Sequence, residues 1–313
     1  MSKNKRILFL GGDRRERRVM QALLEAGHEV EAWGWEEAAL PPGAGYAPDA
    51  GGAMSEADAV VLPVPPLRED GRLHTLLPQP LYLSDRSFRH ARPGLPVLTG
   101  IVTPHLTCIA AQCRLRGLLD REELARPLAE ATAEGAVAEA IRLSGGLLYG
   151  ASALVIGYGR VGRALAWRLT ALGLHTVVMN RGEDRAEQAR RNGLTVADWS
   201  QLTAAVATAD FIFNTVPAPV LPRERLQWAG PAALIVDLAA APGGTDFAAC
   251  AERGVRAVLA GGLPGRYAPD FCGQVMAEVY LRELTELWDE GEEEAEAAAL
   301  GKGEARPAGT GER

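Results

Sequence analysis

The most informative part of this 313-residue sequence is residues 152–162, SALVIGYGRVG. A run of apolar residues predicts a buried strand, and the pattern GxGxxG then opens a predicted helix, which is the context in which that pattern indicates a dinucleotide site. The first glycine permits a tight turn, the second admits a pyrophosphate, and the third lets the helix pack on the strand. We therefore predict a cofactor site built from Gly157, Tyr158, Gly159, Arg160, Val161 and Gly162. The alternative is a glycine-rich turn that binds no nucleotide.

The residues after the next predicted strand indicate which dinucleotide binds. An NAD site usually carries a carboxylate there, but this chain has Asn180, followed by Arg181 and, one helical turn later, Arg185. A guanidinium pairs with a 2′-phosphate that a carboxylate would repel, and Asn180 can still hydrogen-bond the ribose. We therefore expect NADP rather than NAD. In the alternative, Arg181 is a solvated loop charge, and Glu183 or Asp184 serves the ribose.

Strand and helix patterns alternate along both halves of the chain, which is typical of parallel α/β sheets. Strands are predicted at residues 6–10, 29–33, 59–63, 95–100, 152–156, 175–179, 210–214, 233–237 and 254–259. Helices are predicted at 14–26, 122–143 (interrupted by Pro127 and Gly135), 163–172 and 274–288, and a loop at 41–52. The expected fold is α/β, with two Rossmann-like doubly wound parallel-sheet domains joined by long helices and a cleft between them.

The predicted elements divide the chain into five parts. They are an N-terminal Rossmann-like substrate domain (1–120), a connecting helix (121–148), an NADP-binding Rossmann domain (149–272), a helix returning to the first domain (273–299) and a disordered tail (300–313).

Composition excludes several classes of protein. The net charge is −7, from 33 basic and 40 acidic residues, which argues against nucleic-acid binding through bulk charge. No apolar run approaches the roughly 18 residues of a membrane span, and the apolar run after the basic N-terminus is only residues 7–10, so we predict a first strand, not a signal peptide, and a cytoplasmic protein. The four cysteines and five histidines lack metal-ligand spacing, so we expect no metal site and four buried or half-buried thiols.

The first predicted strand ends in a second glycine turn, Gly11-Gly12-Asp13, that lacks the third glycine. Arg14 and Arg15 follow it at the start of a helix, where cations oppose the helix dipole. A bound anion would offset that cost, so both are candidate substrate-binding residues. The alternative is a solvated basic face.

Other polar residues follow predicted strands, where open α/β sheets place their ligands. Cofactor-binding candidates are Asn214, Thr215, Val216 and Pro217; substrate-binding candidates are Thr99 and Arg266; catalytic candidates are His105, Asp237 and Glu134, which stands beside Gly135 in the long helix. For each, the alternative is a capped turn with a buried hydrogen bond.

Several segments together resemble the family of dipicolinate synthase A subunits over about residues 7–287. They are Gly11-Gly12-Asp13-Arg14, Leu62-Pro63-Val64, Thr132-Ala133-Glu134-Gly135, the glycine turn at 157–162, residues 214–217 and Asp237-Leu238-Ala239. The most specific pair is PGGTDF at 242–247 with GLPG at 262–265. The chain departs from the family pattern at Ala240, Ala241, Ala131 and residues 270–273.

The resemblance implies oxidation of dihydrodipicolinate to dipicolinate with NADP, in the mother cell of a sporulating bacterium. It also implies a flavoprotein-like partner, the B subunit of dipicolinate synthase, and we expect a homo-oligomer. The reaction removes one hydride and one proton from a substrate with two carboxylates. Bidentate arginine suits a carboxylate, so Arg14, Arg15 and Arg266 are the expected clamps; Glu134 and His105 are the candidate bases, and Asp237 could orient the nicotinamide or the substrate.

Two other functions fit parts of the sequence. A reductase like shikimate dehydrogenase would need a lysine–aspartate pair, but the only lysines are Lys3, Lys5 and Lys302, all near the termini. Alternatively, the chain is a non-catalytic nucleotide-binding subunit whose chemistry resides on its partner.

Overall fold

The computed structural model describes residues 4–68 and 70–303. They form two compact units. The first contains the chain up to Leu124 and again from Gly273, and the second is Ala125–Cys272. Each unit holds one six-stranded parallel sheet with helices around it, so the prediction of a two-domain Rossmann-like α/β fold is confirmed.

The sheet of the first unit has the strand order β3-β2-β1-β4-β5-β6. Its strands are β1 (Arg6–Leu10), β2 (Glu29–Trp33), β3 (Gly45–Tyr46), β4 (Ala59–Val61), β5 (Pro96–Thr99) and β6 (Arg114–Gly117). Its first helices are α1 (Arg14–Glu25), α2 (Ala50–Glu56), α3 (Asp85–Phe88) and α4 (Pro104–Ile109). The chain leaves β1 in one direction and returns to β4 on its other side, so the carboxyl ends of β1 and β4 form the topological switch point at which such sheets bind ligands.

The second unit repeats this arrangement, in the order β12-β11-β10-β7-β8-β9. Its strands are β7 (Ser152–Ile156), β8 (His175–Met179), β9 (Thr195–Val196), β10 (Phe211–Asn214), β11 (Leu234–Asp237) and β12 (Arg256–Leu259). Its helices are α5 (Glu122–Ser144), α6 (Arg160–Ala171), α7 (Glu183–Arg191), α8 (Leu202–Thr208), α9 (Arg223–Leu226), α10 (Phe247–Arg253) and α11 (Leu263–Tyr267). The switch point of this sheet lies between β7 and β10. The last helix of the chain is α12 (Pro269–Gly303).

Burial explains why the central strands form where they do. β7 is flanked by β10 and β8, and its residues 153–156 are almost wholly buried. Leu165 and Leu169 of α6 pack on the same core. Strands covered on both faces have near-continuous apolar sequences, and for that reason the bounds predicted for β1 and β7 agree with the structure. The bounds predicted for β2 and β8 agree as well, although these strands are partly exposed.

The prediction of a continuous loop at residues 41–52 is wrong, because β3 and the start of α2 lie within this range. The strands β6 and β9 were not anticipated. β3, β6 and β9 are edge strands, and β3 and β9 have only two residues each. Such strands carry little apolar signal.

The predicted interruption of the long helix is also wrong, since α5 continues through Pro127 and Gly135. Pro127 is the sixth residue of the helix, so the one main-chain bond it omits lies near the N-terminus. Gly135 is a close packing position, because a Cβ there would lie 2.9 Å from the Leu263 Cβ.

Two further expectations need correction. Cys108 is exposed, not buried. α12 extends beyond the predicted 274–288, through Gly303 and past the expected start of the tail at 300; residues 304–313 lie outside the described residues. In the described part of the chain, no helix combines the length and apolar character that a membrane crossing requires.

Candidate functional site

The glycine turn of the second unit lies at its switch point. Gly157 has a φ of +98°, and a Cβ there would overlap Thr215, which follows β10. A Cβ on Gly162 would overlap the Gly157 carbonyl oxygen, so this glycine lets α6 pack on the turn. At Gly159 the nearest atom to such a Cβ is Arg185 Nη1, at 3.8 Å. The turn is therefore tightly packed at Gly157 and Gly162, whereas Gly159 has free space beside its Cα.

The first turn of α6 completes an anion site. Gly159 is its N-cap and provides no side-chain hydrogen bond to the exposed backbone N–H groups. Unsatisfied N–H groups at the start of a 12-residue helix attract an anion, and the helix dipole favours it. The open position at Gly159 and these donors fit a dinucleotide pyrophosphate.

The Asn180 side chain is bound within the protein rather than directed to a ribose. Its Oδ1 accepts a hydrogen bond from the Tyr158 N–H at 3.1 Å, and its Nδ2 donates to the Gly182 carbonyl at 2.7 Å. The buried Tyr158 is held in turn by Asn192 Nδ2, which donates to its hydroxyl at 2.9 Å. Asn180 thus joins the glycine turn to the loop that carries Arg181.

Three exposed guanidinium groups belong to this region: Arg160 begins α6, Arg181 follows β8, and Arg185 lies on α7. Within residues 4–68 and 70–303, neither Arg181 nor Arg185 forms an ion pair. Both are available to a ligand phosphate.

Asp237 organises the neighbouring loops. It is fully buried, and its oxygens accept four hydrogen bonds: from Asn214 Nδ2 (3.0 Å), Ala239 N (3.0 Å), Gly244 N (2.8 Å) and Thr245 Oγ1 (2.7 Å). All four donors belong to the protein, so the carboxylate is fully engaged within the loops around it. Asp237 therefore ties the end of β10 to the loop after β11.

The segment after β10 divides into internal and exposed residues. Asn214 is fully buried, and its Oδ1 accepts from Val216 N at 2.9 Å. Thr215 and Val216 contact the turn at Gly157, whereas Pro217 is exposed. The structure thus brings Thr215 and Val216 to the predicted nucleotide turn.

Glu134 and Arg266 lie in ion pairs within the second unit. Arg168 Nη2 donates to Glu134 at 3.0 Å. Arg168 lies in the last turn of α6, roughly 12 Å along the helix axis from its first residue. Arg266 pairs with the buried Glu139, which also accepts a hydrogen bond from Tyr267 at 2.8 Å. Neither residue is brought to the glycine turn.

In the first unit, Arg15 is committed to a buried ion pair at the switch point. Its Nε and Nη2 donate to Asp13 at 2.9 and 2.8 Å, and Nη2 also donates to the Val64 carbonyl, beyond β4, at 2.6 Å. Burial by itself would raise the pKa of Asp13, but hydrogen bonds from His74 and Arg15 outweigh it and lower the pKa. Arg15 therefore joins the ends of β1 and β4 and has little freedom to hold a substrate.

The other candidates of the first unit are Arg14, Thr99 and His105. Arg14 is exposed, and among the residues that the structure describes it has no ion-pair partner. The Oγ1 of Thr99, at the end of β5, is buried without a hydrogen-bond partner. The Nε2 of His105 is likewise buried and unpartnered, 3.2 Å from where a Cβ on Gly71 would lie.

The sequence interpretation missed His74 and Glu16. His74 Nε2 lies 3.4 Å from Asp13 Oδ2, a contact between positions 61 residues apart that no local motif could reveal. Glu16 completes a capping box with Asp13, whose N–H donates to Glu16 Oε2 at 2.8 Å. The spacing of Asp13 and Glu16 was a signal for this box.

Glu16 is a buried acid that keeps its proton to a higher pH than an exposed glutamate does. Burial raises its pKa to about 7, against the opposing charge of Arg15, and its Oε1 has no hydrogen-bond partner. The hydroxyl of Tyr280 is also buried without a partner, and burial followed by the Glu16 charge raises its pKa.

We expect the first unit to lose stability between pH 4.5 and pH 7 because of Glu16. The folded protein keeps the Glu16 proton through this interval, whereas the unfolded chain releases it near the ordinary pKa of 4.5. The Glu16 proton contributes roughly 3 kcal/mol to the free energy of unfolding. This contribution is fully present below pH 4.5 and is lost as the pH rises through 7. Urea denaturation across this range should show a flatter pH dependence for Glu16→Gln than for the wild type. The exposed Glu37→Gln should retain the wild-type dependence, and equal slopes in all three would contradict the assignment.

Comparisons with known proteins agree with this architecture. Residues 6–118 match the family described as the N-terminal domain of the dipicolinate synthase A subunit, and residues 119–239 match the D-isomer specific 2-hydroxyacid dehydrogenase NAD binding domain. The curated dipicolinate synthase A subunit of Bacillus subtilis (strain 168) is 29% identical over 291 residues, covering 90% of this chain and 96% of the relative.

Two crystal structures of dipicolinate synthase A subunits are similar over nearly their whole length. The Bacillus halodurans structure has a TM-score of 0.82 and 27% identity, and the match covers 91% of this chain and 99% of that one. The Bacillus subtilis structure has a TM-score of 0.79 and 29% identity, with coverage of 93% and 99%. These matches support an oxidoreductase with a nicotinamide dinucleotide cofactor.

Proposed function

We propose that this chain, which is 29% identical to a curated dipicolinate synthase A subunit and carries the N-terminal domain of that family, oxidises dihydrodipicolinate to dipicolinate with NADP. The observation that carries the proposal is the open glycine turn at Gly159 with Arg185 beside it, in a chain that matches this family along most of its length. The turn suits a dinucleotide, and the neighbouring cations suit its 2′-phosphate.

The proposed reaction makes a dihydropyridine ring aromatic. One ring C–H bond breaks with its electron pair as hydride, for which bound NADP supplies the acceptor. A second ring C–H bond loses its proton, and its electron pair completes the aromatic ring. The gain in aromatic stabilisation supplies driving force, so the protein is required to bind, to orient and to accept one proton.

The second unit is proposed to hold the dinucleotide through its own backbone and cations. N–H groups at the start of α6 bind the pyrophosphate where Gly159 leaves room. Arg181 and Arg185 bind the 2′-phosphate, and Asn180 positions the loop that carries Arg181. Asp237 keeps the loops after β10 and β11 in place.

The first unit is proposed to bind the dicarboxylate at its switch point. Arg14 is the predicted clamp that remains available, because Arg15 is paired with Asp13 and Arg266 with Glu139. Thr99 and His105 offer buried polar atoms without internal partners. Such atoms are costly unless a ligand or water satisfies them.

A spectrophotometric assay of the purified chain tests the proposal. Dihydrodipicolinate is generated in situ, NADP or NAD is added, and both reduced nicotinamide and dipicolinate absorbance are recorded. We expect both signals, with NADP preferred. Nucleotide binding without either signal, both for the chain alone and with its proposed partner subunit, would contradict the proposed substrate.

We propose that this chain forms a homo-oligomer and acts in the mother cell during sporulation. We propose the flavoprotein-like B subunit of dipicolinate synthase as its partner. The assay is therefore repeated in the presence of the B subunit. Activity only in the presence of the B subunit would show that assembly is required and would favour a non-catalytic role for the isolated chain.

Arg181→Asp is expected to weaken NADP binding by about 10- to 100-fold, because a charge-assisted hydrogen bond contributes about 1.5–3 kcal/mol. NAD binding should change much less, since NAD lacks the 2′-phosphate. Dissociation constants for both nucleotides can be measured by fluorescence titration. Arg191→Asp, at the far end of α7, is the matched charge control. An equal effect of Arg181→Asp on both nucleotides would overturn the 2′-phosphate assignment.

A further inference from the structure

His74 is positioned by the main chain at the switch point of the first unit. The Gly12 N–H donates to the His74 carbonyl at 2.9 Å, and Gly12 forms a parallel bridge with Thr75. Thr75 Oγ1 in turn donates to the Gly34 carbonyl at 2.6 Å, beyond the end of β2. The segment at residues 74–75 is therefore bound to the ends of β1 and β2, where this sheet would hold its ligand.

The imidazole of His74 faces a buried carboxylate. Its Nε2 lies 3.4 Å from Asp13 Oδ2, and the exposed fraction is 35% for the His74 side chain and 8% for Asp13. Asp13 is kept ionised by hydrogen bonds from His74 and Arg15, which overcome the effect of its burial on the pKa. Since an ionised carboxylate only accepts hydrogen bonds, it assigns the proton of neutral His74 to Nε2.

This tautomer leaves Nδ1 as the basic nitrogen. Across the described residues, His74 Nδ1 has no hydrogen-bond partner, and the ring is more than one-third exposed. A histidine oriented by a buried carboxylate, with its second nitrogen accessible, has the arrangement of a general base. Behind Asp13 lie two ionisable groups, namely Arg15, which donates to its carboxylate, and Glu16, which accepts from its N–H.

The other candidate bases are less suited to accept a proton. Glu134 is ion-paired with Arg168, and Asp237 already accepts four hydrogen bonds. The Nε2 of His105 is buried beside Gly71. Of these candidates, His74 is the one that combines an accessible nitrogen with an orienting carboxylate.

We propose that His74, oriented by Asp13, is the general base that accepts the ring proton of the substrate. The inference rests on the proposed function. In the step, the ring C–H bond breaks, its proton forms an N–H bond at His74 Nδ1, and its electron pair enters the aromatic ring. The hydride leaves separately to the nicotinamide, and the imidazolium formed beside Asp13 later releases its proton to water.

The test compares His74→Gln with His90→Gln, a control in which an exposed histidine of the same unit is replaced. We expect His74→Gln to lower kcat by at least about 100-fold, with the nucleotide dissociation constant and the thermal midpoint unchanged. Added imidazole should partly restore the turnover of His74→Ala, which a merely structural role would not produce. Asp13 also caps α1 and binds Arg15, so the test relies on the His74 variants.

The outcomes separate this inference from the proposed function. Dipicolinate formation by the wild type, with unchanged kcat in His74→Gln, would overturn the base assignment alone. Reduced kcat in His74→Gln with no imidazole rescue of His74→Ala would also overturn it and indicate a structural role. A wild type that binds NADP but forms no dipicolinate, with or without the B subunit, would overturn both.

Discussion

Gly159→Val is expected to weaken nucleotide binding strongly while leaving the fold of the second unit intact. A Cβ at this position meets only Arg185 Nη1, at 3.8 Å, so the folded protein can accommodate it, and the backbone at Gly159 has a φ of −82°, which any residue can adopt. A side chain there would occupy the space that the pyrophosphate requires. The expected loss is at least about tenfold in affinity, or about 1.4 kcal/mol.

Isothermal titration with NADP and thermal denaturation should be measured on the same preparations. Gly162→Ala should lower the thermal midpoint as well as the affinity, because its Cβ overlaps the Gly157 carbonyl oxygen. Gly146→Ala is the matched control, since a Cβ there meets nothing within 4 Å. Unchanged NADP affinity in Gly159→Val would show that the dinucleotide does not bind at this turn.

Asp237→Ala is expected to destabilise the second unit by about 3 kcal/mol or more, since it leaves several buried donors without an acceptor. The donors are the backbone of Ala239 and Gly244 and the side chains of Asn214 and Thr245. Asp237→Asn should also be destabilising, because the amide replaces one acceptor oxygen with an NH2 group, which is itself a donor and would face these donors. Nucleotide affinity should fall with both variants, as the loops beside the turn lose their support.

The measurement is the free energy of unfolding from urea denaturation, together with the NADP dissociation constant. Asp184→Asn, an exposed residue of α7, is the control and should change the stability by less than about 0.5 kcal/mol. A wild-type stability for Asp237→Asn, combined with a large loss of turnover, would instead assign Asp237 a direct role in the chemistry.

The sequence was sufficient for the features that depend on local interactions. The apolar runs of β1 and β7 predicted those strands with the correct bounds, because a strand covered on both faces is apolar almost throughout. The bounds predicted for β2 and β8 were also correct, although both strands contain exposed polar residues. The three glycines of the nucleotide turn were recognisable because they lie within six residues of one another, where Gly157 and Gly162 are required by close backbone contacts and Gly159 leaves room for a pyrophosphate. The doubly wound α/β class follows from the alternation of these strands with helices.

The partners of the charged side chains were decided only by the tertiary structure. Arg14 and Arg15 are adjacent residues of the same type, and the sequence alone does not distinguish them. In the structure α1 directs Arg14 to solvent, whereas Arg15 donates to Asp13 and to the Val64 carbonyl. The pairings of Glu134 with Arg168 and of Asp13 with His74 join residues 34 and 61 positions apart. A long polar side chain can reach many partners, and the packing of distant segments selects one of them. For that reason the nucleotide turn was predictable from the sequence, whereas the base that we propose for the reaction was not.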